Sequence, residues 1–517
     1  MITISRSEPT APTRSKPTID WSVFTPTLVM IALLGSALIL FQQESNTAVN
    51  DAVNFIKTNL SWLYMLVGVG SLGFCVWLAF GPYGGMKLGA DDEPPEFSTP
   101  HWVAMMFTAG IGAGLIVWGF AEPIYYLQTP PFGVESHSDM AYEWAHVYPL
   151  FHWGVIPWAI YALAAVPIAY HLYRRQESHL RISYTINDAF PGAKSPVVAS
   201  VIDVLIMLGI LGGTATSLGL GVPLVSSFLS ELTGWDDSVM MKLIVLIGYT
   251  LLFGASAYRG LKKGIKILAD VNMVLALIMM LFILVVGPTV FILSMSVNSI
   301  GMFMDNFWRM SFWTDPVSKT GFVEDWTVFY WAWWIAFAAF VGLFFGRISR
   351  GRTIRQVVLG VIGLGSLGTI LFLMIAGGYS LHLEHSGALA VSDTLSERGL
   401  SYTVTSVLSQ LPFGKVTLFA FFILALIFYA TTLDSAAYVL ASVSSRNLHN
   451  DQEPSRPNRL VWAFALAFFT AGLIKSDSLD IVQSMTILFS VPIIPILVLM
   501  SISLVKWLKA DPYSQKQ

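Results

Sequence analysis

Apolar segments that approach the length of a membrane span recur along this chain from residue 23 to residue 504. A spanning helix needs about 20 mostly apolar residues. Twelve candidate segments lie at 23–41, 60–80, 102–126, 148–172, 197–230, 240–258, 271–293, 326–346, 357–376, 416–441, 460–474 and 482–504. Since no stretch between them is long enough for a separate soluble domain, the pattern predicts an all-α integral membrane protein with twelve transmembrane helices.

Composition disfavours several other classes of protein. Only 12% of the 517 residues are charged, whereas soluble domains carry roughly 25%. The net charge of −3 gives no indication of a nucleic-acid partner. The single cysteine, Cys75, excludes an internal disulfide framework and a cysteine metal cluster. Residues 1–22 are mostly polar and contain prolines, so we interpret them as a short tail rather than a cleaved signal peptide.

The basic residues predict the orientation of the spans. Cytoplasmic loops of membrane proteins carry an excess of lysine and arginine. If the N-terminus is inside, the inner loops and tails contain 22 of the 29 basic residues, and the outer loops contain the other seven. We therefore expect a multi-pass protein of a bacterial-type inner membrane, with residues 1–22 and 505–517 as cytoplasmic tails.

The order of the spans permits internal symmetry. After two helices within 23–80, the five spans within 102–293 and the five within 326–504 have opposite topology, because five is an odd number. Inverted repeats of this kind are the plan of many secondary transporters. Between the two halves, residues 300–312 mix aromatic and charged side chains, which predicts an amphipathic helix in the outer interface with membrane lipid.

The third span has a weak point near its middle. It contains TAGIGAGLIVWGFAEP, with Gly110, Gly112 and Gly114 in close succession, and each glycine weakens a helix by about 1 kcal/mol relative to alanine. Two interpretations stay open. The glycines allow close helix packing, or they mark a broken helix whose backbone groups line a cavity.

Aromatic residues mark the fourth span, which contains FHWGVIPWAIY. Trp153, Pro157 and Tyr161 are spaced by four, and Trp158 is three residues before Tyr161, so they are predicted to share roughly one helical face. Pro157 can open the helix locally. Tryptophan and tyrosine normally gather at the bilayer surface, which suits Trp153 but not the deeper Trp158 and Tyr161.

The eighth span begins with WTVFYWAWW, residues 326–334. It places Trp333, Phe337, Phe340 and Phe344 at spacings of four, three and four, which makes one aromatic stripe. A stripe of this kind is more often a packing surface than a binding site, so the pattern alone does not assign a function.

The depths of these residues in the membrane favour a binding site over a packing surface. At 1.5 Å per residue, Trp334, Trp158 and Gly114 each lie about 18 to 21 Å from the inner end of their span. Aromatic faces bind cations, and quaternary ammonium groups are the usual ligands of aromatic cages. No lysine or arginine lies at this depth, so backbone N–H groups of the glycine segment would bind a carboxylate on the ligand. The coincidence predicts a pocket for a methylated ammonium compound.

A second match of depth lies nearer the inner side. The tenth span contains FYATTLDSAA, and its Thr431 and Thr432 lie at the depth of residues 108–111 of the third span. A hard cation needs oxygen ligands, so two hydroxyls and the carbonyls of a broken helix would suit Na⁺. Threonine hydroxyls in spans also bond to the carbonyl four residues earlier, and this alternative stays open.

Ionisable residues within or at the ends of spans are functional candidates by default. They are Glu122, His152, Asp203, Asp270 and Asp434. The four carboxylates sit toward span ends, where capping and polar packing are sufficient roles, and His152 has no evident partner. We therefore predict no catalytic residue, no enzyme activity and no proton carrier.

Together these motifs resemble the betaine/carnitine/choline transporter family. DWTVFYWAWW (325–334), followed by GRISRGRT (346–353), is similar to the signature stretch of the family, and the quoted segments of the third and fourth spans match as well. The similarity extends over nearly all of residues 20–508. It implies a LeuT-like fold of two inverted five-helix repeats, a small quaternary ammonium substrate, no cofactor other than a coupling ion and, commonly, a homotrimer.

The resemblance also implies roles for individual residues. Carried over by position, the substrate site is Trp153, Trp158, Tyr161, Trp333 and Trp334, beside Phe337 and the glycines 110, 112 and 114. Phe337, Phe340 and Phe344 line the inner route. The sodium site of sodium-coupled members uses the hydroxyls of Thr431 and Thr432 and the carbonyls of Thr108, Ile111 and Phe428.

Departures from relatives indicate the subtype. Sodium-independent exchangers of the family have an arginine where this chain has Asn272, so sodium coupling is favoured. Choline-carrying members have an aspartate in the glycine stretch, whereas Gly112, Ala113 and Gly114 offer no carboxylate, so a zwitterion is favoured. Phe337 replaces a tryptophan common in relatives. The long charged C-terminal extension of osmotically regulated members is absent, so we expect no osmotic activation by that route.

The sequence therefore predicts a Na⁺-coupled symporter that imports a betaine-type quaternary ammonium zwitterion such as glycine betaine. The alternatives are a sodium-independent exchanger of carnitine-like or betaine-like compounds and a choline uptake system. A membrane enzyme that acts on choline-like head groups and a non-transporting sensor are disfavoured, because neither a catalytic cluster nor a sizeable soluble domain is evident.

Overall fold

The computed structural model describes residues 17–110, 112–177, 181–259, 262–448, 452–476 and 479–513. The helices of the first half are α1 (Trp21–Leu40), α2 (Gln42–Phe80), α3 (Thr99–Gly110), α4 (Ala113–Gln128), α5 (Asp139–His152), α6 (Val155–Ala169), α7 (Pro196–Thr233), α8 (Val239–Arg259), α9 (Lys262–Val286) and α10 (Thr289–Phe312). Those of the second half are α11 (Val328–Ile348), α12 (Ile354–Leu359), α13 (Gly365–His385), α14 (Val391–Arg398), α15 (Leu400–Ser409), α16 (Lys415–Val443), α17 (Arg456–Ser476), α18 (Leu479–Ser490) and α19 (Ile493–Ala510). Two short strands, β1 (Thr18–Ile19) and β2 (Ser445–Arg446), pair antiparallel.

These helices account for the apolar segments of the sequence. Each predicted segment falls on one or more of them. Within the described ranges, ten helices or continuous helical tracts are long and apolar enough to cross a membrane, and Val239–Leu252 and Asp270–Val286 are shorter apolar stretches. The chain is thus a multi-pass, all-α membrane protein, while the count of twelve spans stays a prediction.

The end of the seventh predicted segment and the start of the predicted interfacial helix are wrong. The segment expected to end at 293 ends at Val286, and the helix expected at 300–312 begins at Thr289. Pro288 has no N–H and disfavours helical conformation in the preceding residue, so the break falls at Gly287–Pro288. Along its whole length α10 then exposes one apolar stripe, formed by Val290, Leu293, Val297, Ile300, Met304, Trp308 and Phe312.

Helices α6 and α11 pack closely because both carry small residues where they meet. A Cβ atom added to Gly342 would lie 2.7 Å from the Cβ of Ala164, and one added to Gly346 would lie 3.1 Å from Cγ2 of Ile168. Helix backbones in membranes approach this closely where small side chains permit it. The packing brings the aromatic start of α11 against the start of α6.

Two of the predicted spans are interrupted at glycines. Gly112 has extended backbone (φ −118°, ψ 173°) between α3 and α4, which confirms the broken-helix interpretation of the glycine segment. In the fourth span α5 ends at His152, and Gly154 (φ −91°, ψ −141°) precedes α6. A Cβ atom on Gly154 would lie 2.3 Å from the carbonyl oxygen of Leu150, so this turn requires glycine.

Ion pairs hold the end of the bundle at which the first and last described segments, with Asp20 and Asp511, lie. Arg181 contacts the buried carboxylates of Asp20 at 2.7 Å and Asp203 at 2.6 Å, which joins the N-terminal segment to α7. At the other terminus Arg174 donates to both carboxylate oxygens of Asp511, at 2.9 and 2.8 Å. Burial alone raises the pKa of Asp511, but hydrogen bonds from Arg174 and Tyr170 outweigh it and lower the pKa to about 2.

We expect Arg181→Met to reduce the free energy of unfolding by about 3–5 kcal/mol, because it leaves the buried Asp203 carboxylate without its cation. The matched control is Arg175→Met. Arg175 and its partner Asp188 are each 34% exposed, and exposed pairs contribute roughly 1 kcal/mol or less. Denaturant unfolding of the detergent-solubilised protein, followed by circular dichroism, measures both variants, and equal losses would contradict the prediction.

Candidate functional site

One cavity of about 670 Å³ collects most of the predicted site residues. Its lining includes Gly112, Gly114, Trp153, Trp158, Tyr161, Trp333, Trp334, Phe337, Phe340, Phe344, Thr431 and Thr432. They come from segments far apart in the sequence: the break before α4, the break before α6, α6 itself, α11 and α16. Of the other predicted site residues, Ile111 and the side chain of Thr108 lie outside the described residues, and Gly110 is described only as the last residue of α3.

Trp334 lies at the centre of an aromatic cluster. Its ring centroid is 4.7 Å from that of Tyr161, 5.4 Å from that of Trp158 and 5.6 Å from that of Trp153. The ring planes are inclined to that of Trp334 by 51°, 65° and 80°, and Trp153 lies 5.9 Å from Trp333 at 77°. Rings inclined in this way face different directions, which suits cation–π contacts with a rounded cation. We call these five residues the aromatic cage.

The break before α6 determines how two rings of the cage are held. Trp153 precedes Gly154, the N-cap residue of α6, so its carbonyl has no helical partner within α6, and Pro157 in the first turn has no N–H to donate to it. That carbonyl instead accepts the indole N–H of Trp158 at 3.1 Å and the hydroxyl of Thr369 at 2.7 Å. Trp153 itself follows the last residue of α5. The predicted common helical face of Trp153 and Tyr161 is therefore wrong, since α5 ends before Trp153 and α6 begins after it, although both residues line the cavity.

Two glycines allow the backbone to approach the rings. A Cβ atom on Gly114 would lie 3.1 Å from Cη2 of Trp333 and 3.2 Å from Cη2 of Trp153. One on Gly213 of α7 would lie 2.7 Å from the ring of Phe337. The carbonyl of Gly213 also accepts the indole N–H of Trp333 at 3.3 Å. Helices α4 and α7 can therefore close the cavity against α11 only because these two positions carry no side chain.

The cavity continues from the cage along α11 and α16 and opens at the end of the bundle where the termini lie. Phe340 lines it beyond Phe337, and Phe344 is 43% exposed at its mouth. Among the lining residues that the structure describes, only Arg347 and Asp434 are charged, and both belong to this outer part. Among the described residues no lysine or arginine lines the cage, as the sequence predicted, and no acidic side chain lines it either.

Thr431 and Thr432 line the same cavity from α16. The Thr431 hydroxyl donates to the carbonyls of Ile427 at 3.1 Å and Phe428 at 3.0 Å, and the Thr432 hydroxyl donates to Phe428 at 2.9 Å. The bonds within the helix that were left open as an alternative are thus present. They do not exclude a cation site, because a hydroxyl that donates its proton keeps lone pairs that can bind a hard cation.

The prediction that His152 has no partner is wrong. Its side chain and that of Glu122 are both fully buried and lie in contact with each other. His152 is not without partners: its Nδ1 lies 2.8 Å from the hydroxyl of Tyr126 and 3.3 Å from Glu122, and its Nε2 lies 3.0 Å from the hydroxyl of Thr327. The spacing of four between Glu122 and Tyr126 was a readable signal. The contact between α5 and the segment before α11, which brings His152 to Thr327, has no local sequence pattern that would predict it.

Comparison with known proteins supplies independent findings. Residues 22–513 match the sequence profile described as BCCT, betaine/carnitine/choline family transporter. The chain is 37% identical over 489 residues to the glycine betaine transporter OpuD of Bacillus subtilis (strain 168), which covers 93% of this chain and 94% of that protein. It is 33% identical over 486 residues to a carnitine transporter of Acinetobacter baumannii, which covers 94% of this chain and 88% of that protein.

Proposed function

Because the chain belongs to the betaine/carnitine/choline transporter family, it is a transporter rather than an enzyme, and we propose that it imports a betaine-type zwitterion together with Na⁺. The relatives named above carry glycine betaine and carnitine, which supports a small quaternary ammonium substrate. The proposal is carried by one observation: an aromatic cage without charged side chains opens into the same cavity as two threonine hydroxyls.

The two ends of a betaine match two parts of the cavity. A trimethylammonium group is weakly hydrated and can exchange water for the faces of the cage, each desolvated contact contributing about 2 kcal/mol. The carboxylate would bind near Gly112 and Gly114, where α4 begins and its first backbone N–H groups have no helical partner. Since no acidic side chain lines the cavity at these glycines, a zwitterion is favoured over choline.

Sodium coupling rests on Thr431, Thr432 and Asn272. The two hydroxyls and the carbonyl of Phe428 supply oxygen atoms of the kind that Na⁺ binds. Asn272 is buried and neutral where an arginine would supply a permanent charge in place of the ion. Inward movement of one Na⁺ releases about 2.3 kcal/mol per 100 mV of membrane potential, which is sufficient in combination with its gradient to drive accumulation.

The membrane arrangement is part of the proposal. We infer twelve transmembrane helices in two inverted five-helix repeats, a homotrimer, and an inner-membrane location with both termini in the cytoplasm. The excess of basic residues on one side supports this orientation. Arg174 and Arg181, which hold the terminal segments, lie on that side.

Uptake of labelled glycine betaine into proteoliposomes tests the function. We expect accumulation with an inward Na⁺ gradient and at most background uptake when K⁺ replaces Na⁺ at the same ionic strength, because the coupling ion supplies the driving force. Uptake without Na⁺ that accelerates when unlabelled substrate is trapped inside would instead identify an exchanger. Competition by carnitine and by choline in the same assay ranks the affinities of the transporter for the three compounds.

A further inference from the structure

A buried carboxylate lies directly behind the aromatic cage. Oε2 of Glu122 accepts the indole N–H of Trp153 at 2.9 Å and the hydroxyl of Tyr330 at 2.7 Å. Its Oε1 accepts the hydroxyl of Tyr126 at 2.7 Å and lies 3.3 Å from Nδ1 of His152. Both oxygens are therefore occupied by groups of α4, α5, α11 and the turn before α6.

The hydrogen bonds fit the ionised form of Glu122. An ionised carboxylate only accepts hydrogen bonds, and an indole N–H only donates. Trp153, Tyr126 and Tyr330 direct three donors at the two oxygens, which nearly fills the acceptor sites of a carboxylate. Among the described residues, His152 is the only basic side chain in contact with this carboxylate. The charge is thus held mainly by hydrogen bonds, as a buried carboxylate requires.

The ring of Trp153 connects this carboxylate to the cage. Its N–H points to Glu122, while the ring lines the cavity and packs against Trp333 and Trp334. Hydrogen bonding to an anion shifts electron density into the indole, which strengthens the negative ring face that attracts cations. The carboxylate also attracts a cation directly, and it does so through a region with few water molecules to screen it.

We propose that Glu122 is a specificity-determining residue that makes the cage prefer a cationic head group, by acting through Trp153. The inference rests on the proposed function and deepens it. An aromatic cage favours a trimethylammonium group over a neutral tert-butyl group of the same shape, and a nearby negative charge enlarges that preference. Gly112, Ala113 and Gly114 offer no carboxylate, so the glycine segment stays free for the carboxylate of a zwitterion, while Glu122, one ring behind the cage, supplies negative charge at the ammonium end.

The test compares glycine betaine with 3,3-dimethylbutanoate, in which carbon replaces the ammonium nitrogen. Both compounds compete against labelled glycine betaine for the purified full-length chain. In Glu122→Gln we expect the affinity for glycine betaine to fall about tenfold, which corresponds to roughly 1.4 kcal/mol, while the affinity for 3,3-dimethylbutanoate stays unchanged. Equal losses for both compounds would indicate a merely structural role, and no loss for either would remove Glu122 from recognition; each overturns the proposal.

Further variants separate charge from packing. Tyr330→Phe removes a different donor from the same Oε2 and leaves the carboxylate and the indole in place, so the preference for glycine betaine should persist. Trp153→Phe removes the connecting N–H together with part of a cage face, so the preference should shrink by more than in Trp334→Phe, which removes ring area alone. If Glu122→Gln does not fold, these two tryptophan variants decide, and equal effects of the two overturn the proposal. A wild-type protein without preference for glycine betaine would instead contradict the proposed function itself.

Discussion

Replacement of Trp334 by alanine should raise the KM for glycine betaine about 100-fold, or by nearly 3 kcal/mol. Trp334 contacts three other rings of the cage, so its removal both deletes one cation–π face, worth about 2 kcal/mol, and opens the cage to water. Initial rates of uptake into proteoliposomes over a range of substrate concentrations measure the effect. Trp334→Phe, which keeps a smaller face, should raise the KM about tenfold.

The matched control is Trp331→Phe on the same helix. Trp331 is as deeply buried as the cage, but it packs against Phe151 at 5.2 Å and His152 at 5.8 Å, outside the lining of the cavity. The same loss of ring area there should affect stability and leave the KM unchanged. A shift of KM in Trp331→Phe as large as that in Trp334→Phe would mean that general packing, and not the cage, determines affinity.

Periodicity predicted the α11 side of the site well, because this side is a property of one unbroken helix. Trp333, Phe337, Phe340 and Phe344 repeat at four, three and four residues. A regular helix from Val328 to Ile348 turns that spacing into one line of side chains along the cavity. The counts of residues from the inner span ends then placed Trp334 and Trp158 at one depth, and the structure brings their rings within 5.4 Å.

The α5–α6 side could not be predicted in the same way. Counting residues assumes a continuous helix, and the turn at Gly154 changes the direction in which Trp153 points. Trp153 therefore belongs to the cavity, rather than to the bilayer surface that its place in the span suggested. The four partners of Glu122 come from three helices and the turn before α6, and the convergence of these segments is a tertiary property with no local sequence pattern.

One helix break that was not predicted does have a signal in the sequence. Gly287–Pro288 carries a strong local signal for a helix break. Hydropathy stays high through this dipeptide, and the predicted segment therefore extends to the end of the apolar run at residue 293. As a result, the helix that begins at Thr289 was predicted to begin only at residue 300. Where a proline signal and an apolar run disagree, the backbone constraint decides, because proline lacks the N–H that every interior helix position uses.

Simultaneous replacement of Thr431 and Thr432 by alanine should raise the half-saturating Na⁺ concentration for uptake by more than about tenfold, since each hydroxyl would supply one of the few oxygen ligands of the ion. Loss of the two hydroxyls also frees the Phe428 carbonyl from two hydrogen bonds, so local packing must be controlled. Uptake rates measured against Na⁺ concentration at fixed glycine betaine give the value.

Ser442→Ala on the same helix provides that control. The Ser442 hydroxyl donates to the carbonyl of Tyr438 at 2.8 Å, in the same pattern as the threonines, but it does not line the cavity. Its loss should leave sodium activation unchanged. If the double threonine variant keeps its full dependence on Na⁺, the ion binds elsewhere or does not drive transport. If both variants lose it equally, the bonds within α16 stabilise the helix rather than form a site, and only a difference between them assigns the ion to Thr431 and Thr432.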